Sequence, residues 1–170
     1  MKQLFEITYK HRSVNEDGKE RKKTALYILS AVDFTDAEAN AGVLGTSVFS
    51  GKFEVKNIKK SKITQVFESE GVHPLYKAKI SMVTLDEELA REKKISEYML
   101  FESESFDKLP DVIERSLQYM LISFTVSGAA ITNFDGFYDP EFDGLQETDD
   151  VPEGYQLEEG EPTAQPDNIS

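Results

Sequence analysis

The sequence predicts an α+β fold: a tandem duplication of a β-β-α-β unit, its halves related by a pseudo-twofold, with a disordered acidic C-terminal tail. Three observations carry this. The apolar skeleton of residues 52–67, KFEVKNIKKSKITQVF, returns 71 residues later, with Phe53, Val55 and Phe67 matched by Phe124, Val126 and Tyr138. At the same offset Lys22-Lys23 matches Lys93-Lys94, Tyr27 matches Tyr98 and Leu29 matches Leu100. Composition then changes at Asp139: from there to Ser170 the chain has 11 acidic residues and no Lys or Arg, while residues 1–138 hold 21 acidic and all 19 basic residues. The expected boundaries are 1–68 for the first unit, 69–74 for a linker, 75–139 for the second unit and 140–170 for the tail.

In the first half, residues 4–10 alternate, with Phe5, Ile7 and Tyr9 on one face, and read as a half-buried strand. Asn15-Glu16-Asp17-Gly18 supplies a turn, and the segment after Arg21-Lys22-Lys23 a second strand. Thr35 and Glu38 have capping-box spacing and predict a helix start. Gly42 and Gly45 weaken that helix by about 1 kcal/mol each relative to Ala, so it depends on packing against the sheet. Residues 52–67 return as a strand whose alternation slips near Ile58-Lys59-Lys60, where a bulge or bend is expected.

After the linker, residues 76–85 and the stretch opened by Lys93-Lys94 form a second hairpin. Phe34-Thr35 finds its match in Phe106-Asp107 after one inserted residue, which makes Asp107 the expected cap of a second helix. Pro110 falls in its first turn, where the missing amide costs nothing. Residues 122–138 are the returning strand. From about residue 140 the chain has four of the six prolines and too few apolar residues to offset ordering entropy.

The chain has no cysteine, which excludes disulfides, zinc-thiolate sites and a cysteine nucleophile. It has no apolar run near the ~20 residues that span a bilayer and no signal-peptide pattern, so a soluble, cytoplasmic protein is expected (the bacterial host cytoplasm if phage-encoded). His11 and His73 are the only histidines, and one follows a strand while the other lies in the linker. There is no Gly-x-x-x-x-Gly-Lys loop and no Gly-x-Ser-x-Gly elbow, and the acids at Asp86, Glu87 and Glu88 lack the spacing of a calcium loop. The expectation is a non-enzyme without catalytic residues, metal or cofactor.

Basic residues give the functional signal. Five of the 19 fall within residues 52–67, four of them (Lys56, Lys59, Lys60 and Lys62) in seven positions. Lys22, Lys23, Lys93 and Lys94 stand at matching places in the two hairpins, and Lys77 and Lys79 share one strand face. Lysines on an open sheet face, with rings between them, can pair with phosphates while bases stack. Tyr27 and Tyr98 are the chosen rings, from a set that includes Tyr9 and Tyr76. The bland reading is that lysines guard edge strands and tyrosines fill the core. That explains scattered lysines better than four in a row of seven.

The segments FEITYK, KERKKTALYILSAVDFTDAEA, GKFEVKNIKKSKITQVF and LYKAKISMVTLDEE resemble an uncharacterised family of small proteins from Bacteroidetes and their phages, including crAss-like phages. The likeness covers roughly residues 3–138, and FTDAEA and FEVKNIK are its most specific parts. The family brings no established activity or catalytic residue. Its occurrence in phage genomes implies a replication-associated role. The resulting expectation is a single-stranded DNA-binding protein whose acidic tail competes with DNA or recruits replication proteins. The alternative is a protein-interaction or phage structural module without nucleic acid. A homo-oligomer is a further partner expectation.

Overall fold

The computed structural model describes residues 2–142. Residues through Tyr138 form one compact unit; a second begins at Asp139 and, from residue 143 on, lies outside the described residues together with most of the expected tail.

β1 (Gln3–Val14) pairs antiparallel with β2 (Glu20–Ala31) around a turn in which Gly18 takes φ 78° and the Asn15 side chain accepts from the amides of Asp17 and Lys19. The helix α1 (Phe34–Val48) follows, and its cap is Asp33, not Thr35. Asp33 is extended and accepts from the Asp36 amide at 2.9 Å, while the Asp36 carboxylate accepts from the Val32 amide at 2.9 Å. The same reciprocal logic operates two residues earlier than expected, because a carboxylate pair at 33 and 36 outcompetes Thr35 and Glu38 for the orphan amides.

The returning segment is two strands, β3 (Phe53–Lys60) and β4 (Ile63–Phe67). The bulge lies at Lys56, opposite Thr8 and Tyr9, and the break at Ser61-Lys62. The second half repeats the order as β5 (Leu75–Asp86), β6 (Arg91–Glu102), α2 (Leu109–Ser116), β7 (Phe124–Ile131) and β8 (Gly136–Tyr138). Asp107 does not cap α2. Lys108 holds the cap position without a side-chain bond, and Pro110 occupies the first turn as expected.

The two sheets have the strand orders β3-β1-β2-β8 and β4-β6-β5-β7. Each half therefore gives its last strand to the other half's sheet, where it pairs parallel: β8 beside β2 and β4 beside β6. Element for element the orders are equivalent, and the bulges at Lys56 and Ser127 are 71 residues apart. In β2 and β6, however, the structural offset is 72, since Phe5 pairs with Leu29 while Tyr76 pairs with Phe101. The extra residue sits in the β5–β6 turn, not after β6. Side chains alternate with period 2, so a one-residue slip turns a side chain to the other face. Tyr27 and Tyr98, matched in sequence, thus point to opposite sides of their sheets.

Each sheet packs one face on its own helix. Phe5, Ile7, Tyr9 and Leu29 meet Ala37, Ala41 and Leu44 in the first core; Tyr76, Ile80, Met99 and Phe101 meet Leu109, Ile113 and Leu117 in the second. A third core joins the opposite faces. It consists of four matched pairs: Leu4 with Leu75, Ile28 with Leu100, Ile63 with Phe134, and Val66 with Phe137. The crossings that feed it are matched too. The Ser61 amide donates to the Leu4 carbonyl (2.8 Å) and the Thr132 amide to the Leu75 carbonyl (3.0 Å). Each hydroxyl then accepts from the amide two residues on, at Ile63 and Phe134, which turns the chain toward the other sheet.

Candidate nucleic-acid interface

The open faces of the two sheets meet at Leu4, Ile28, Leu75 and Leu100, and one pleat further along each central strand a groove of about 680 Å³ opens. On β1 and β5 the residues at that level are Glu6 and Lys77. The lining of the groove comes in matched positions of the two halves. Lys59, Lys60 and Lys62 come from the first half; the same places in the second are Ala130, Ile131 and Asn133. Leu26 corresponds to Tyr98, and Ile63 to Phe134. Geometry is shared and chemistry is not. The first half supplies three lysines and the acid Glu6, and the second an aromatic and aliphatic wall with the single cation Lys77.

β3 is the edge strand that brings the lysines here. The end of β3 and the Ser61 turn place Lys59, Lys60 and Lys62 at the mouth of the groove although they alternate in the strand. Glu6 is the acid in the lining; its carboxylate accepts from Ser61 Oγ at 2.7 Å and lies 3.6 Å from Lys59 Nζ. Among the described residues no carboxylate pairs with Lys60, Lys62 or Lys77. Lys77 Nζ stands 5.3 Å from the centroid of the Tyr98 ring, within cation–π range. Asp135 fixes the remaining wall by donating its amide to the Leu26 carbonyl (2.7 Å) and accepting from the Leu26 amide (2.9 Å).

A second basic cluster extends along the open face of the first sheet. Arg12 and Lys22 are cross-strand partners, and Lys10 lies one pleat away on β1. The bulge turns Lys56 against Lys10, and that ammonium beside it pulls the Lys56 pKa below its ordinary value. Arg12 is partly spent on Glu20, at 3.0 Å. Between Lys10, Arg12, Lys22 and Lys52 lies a smaller groove of about 320 Å³.

Of the residues singled out from sequence, Lys59, Lys60, Lys62 and Tyr98 share the groove, while Lys22 and Lys56 lie on the adjoining open face. Lys94 is on the open face of the second sheet, opposite Val83, six residues along β5 from Lys77 and so roughly 20 Å away. Three residues are misplaced by the sequence reading. Lys23 pairs with His11 and Lys93 with Thr84, both on helix-bearing faces. Tyr27 faces the first core, edge-on to Tyr9 and Phe49, and burial, with Asp135 adding, holds its phenol above its usual pKa. The cause is the alternation of strands: Lys22-Lys23 and Lys93-Lys94 are neighbours in sequence and so cannot share a face, and Tyr27 pairs with Ile7 of the first core. Lys77, Lys10 and Arg12 belong with the cluster; the shared parity of residues 6, 10 and 12 in β1 was the available signal.

Residues 3–140 match the sequence model of a family described as Domain of unknown function (DUF4494). The chain belongs to that family. No curated protein and no solved structure matches it. No helix among the described residues of this DUF4494 member is long and apolar enough to cross a membrane.

Proposed function

We propose that this DUF4494 protein binds single-stranded DNA, without catalysing a reaction, in the groove on its pseudo-twofold and along the open face of the first sheet. The observation that carries the reading is the convergence of Lys59, Lys60, Lys62 and Lys77 with Tyr98 around one groove that has a single acid, Glu6, already engaged by Ser61 and Lys59. Phosphates supply the charge such a surface lacks, and an unstacked base has the flat face that an exposed ring takes. In this reading the 11 acids that follow Tyr138 act as an intramolecular competitor or recruit replication proteins, and the protein serves phage replication in the host cytoplasm, a role supported by the resemblance of its sequence to a family that occurs in phages. The equivalence of the two sheets is attributed to duplication of one ancestral β-β-α-β unit.

The test is fluorescence anisotropy with a labelled single-stranded oligonucleotide at two salt concentrations, using the full chain, a chain ending at Tyr138 and the double variant Lys60→Glu/Lys62→Glu. Binding should weaken with salt, tighten on removal of the tail, and lose about 1.4 units of the log–log salt slope in the double variant. Absence of binding at low salt would overturn the reading.

One observation favours a second reading, a protein-interaction module. β7, the edge equivalent to β3, is FTVSGAAI, without a charged residue, and Val126 and Ile131 are exposed on it. Edges left without lysine or proline invite strand addition, here by a second copy of the chain. Sedimentation across a concentration series, with and without oligonucleotide, separates a dimer that binds nothing from a nucleic-acid binder.

A further inference from the structure

The asymmetry of the groove bears on what it can accept. A duplex presents two phosphate backbones, and a groove on a pseudo-twofold could meet both only if each wall were cationic. Here the three lysines of the first wall, Lys59, Lys60 and Lys62, are replaced on the second by Ala130, Ile131 and Asn133. The second wall adds Tyr98, whose side faces the groove because β6 is shifted by one residue relative to β2. Its first-half counterpart at the structural offset of 72 is Leu26, an apolar floor. Ile131, 62% exposed, lines the same groove.

We infer that the groove takes one strand in a fixed sense across its width: the backbone lies on the Lys59–Lys62 wall, and a splayed base lies on the Tyr98 and Ile131 wall. The inference rests on the nucleic-acid reading above and narrows it to recognition of unpaired bases. A base stacked on Tyr98 displaces the Lys77 ammonium from the ring, and that ammonium then meets the adjoining phosphate. A paired base keeps its face inside the helix stack, and its partner's backbone lies opposite a wall whose one cation, Lys77, stands against three on the first wall. Discrimination against duplex therefore arises from the second half, while salt dependence arises mainly from the three lysines of the first.

The test uses the full chain and three labelled probes: an oligothymidylate of about 12 nucleotides, within the site sizes of single-strand binders; the same backbone with abasic sites throughout; and the corresponding duplex. The abasic probe should bind about tenfold more weakly than oligothymidylate, the scale of one stacked base, at an unchanged salt slope. Tyr98→Ala should abolish that difference; its side chain is 37% exposed, so the fold should survive, and a thermal melt checks it. Lys60→Glu/Lys62→Glu should weaken all probes and reduce the slope. Equal affinity for oligothymidylate and abasic probe, or for duplex and single strand, would overturn the inference while leaving nucleic-acid binding intact. No binding of any probe at low salt would overturn both.

Discussion

In the first half, α1 turns Ala37, Ala41 and Gly45 toward its sheet; in the second, the positions 72 residues on are Leu109, Ile113 and Leu117. The sheets compensate. Tyr9 and Tyr27 in the first stand where Ile80 and Met99 stand in the second. Around Tyr9 the rings of Tyr27, Phe49 and Phe53 lie 5.8, 5.1 and 5.9 Å away, and its hydroxyl donates to the Ala41 carbonyl at 2.6 Å. One backbone plan thus holds two cores, one filled from the sheet by aromatics under a small-faced helix and the other filled from the helix by aliphatics. The difference shows that what is shared is backbone register and total volume, with side-chain identity free to move between layers.

The largest effect should come from the helix that supplies its own volume. Leu117 is 0% exposed, and Leu117→Ala opens a cavity between α2 and the second sheet that no ring can fill. A loss of about 3.5 kcal/mol is expected, with a drop in Tm of about 10 °C. Chemical denaturation of the full chain measures it. A loss under about 1 kcal/mol would mean that the second core is not filled from the helix.

The halves differ again at Glu102, whose counterpart is Ser30; both are buried, but only the carboxylate organises a loop. Glu102 Oε1 accepts from the amides of Ser69, Glu70 and Gly71, and Oε2 from those of Val72 and His73, at 2.7–3.2 Å. The segment between the halves is wrapped around this side chain. Burial pushes its pKa up, but the amides of Gly71, Ser69, His73 and Val72 outweigh burial and hold the carboxyl below its usual value. Glu102→Ala should cost about 3 kcal/mol, since five donors lose one charged acceptor, and Glu102→Gln should cost less. A carboxyl whose folded-state pKa is depressed stabilises the fold above its unfolded value of about 4.3 and loses that contribution as pH falls through the lower folded value. Stability of the parent should therefore fall in acid below about pH 4, more steeply than that of Glu102→Gln. Parallel slopes in the two proteins would show that Glu102 is not the linked group.

Much of the plan was legible because it is local. The hairpins follow from alternation and from Asn15 and Gly18, and the offset of 71 holds for β1 with β5, β3 with β7 and β4 with β8. The sequence misaligns β2 and β6 because three coincidences, Lys22-Lys23 with Lys93-Lys94, Tyr27 with Tyr98 and Leu29 with Leu100, outweigh an insertion in a turn that leaves no apolar trace. The lysine wall was visible as density, four lysines in residues 56–62. The groove was not, because it exists only where β4 and β8 have crossed to the other sheet, and period and spacing along one strand say nothing of partners as distant in sequence as Val66 from Leu100 or Tyr27 from Gly136.

The smallest effects test the first core from the two glycines of α1. Both interrupt a helix, and from sequence each costs about the same. Their surroundings differ. A methyl group on Gly45 would overlap the Phe53 ring, which is held by Phe49 and Tyr9, whereas a methyl on Gly42 meets nothing within 4 Å. Gly45 is thus the space into which the sheet's aromatic volume projects, and Leu117, its counterpart, is the inverse solution. Gly45→Ala should destabilise by about 2 kcal/mol through overpacking, in spite of the better helix former. Gly42→Ala should stabilise by about 0.7 kcal/mol, because only the backbone entropy of the unfolded chain changes. Opposite signs for one substitution, three residues apart on one helix, would place the close approach of α1 to β3 at Gly45. If Gly45→Ala stabilised as well, the ring of Phe53 would have to move freely, and the first core would not be filled from the sheet.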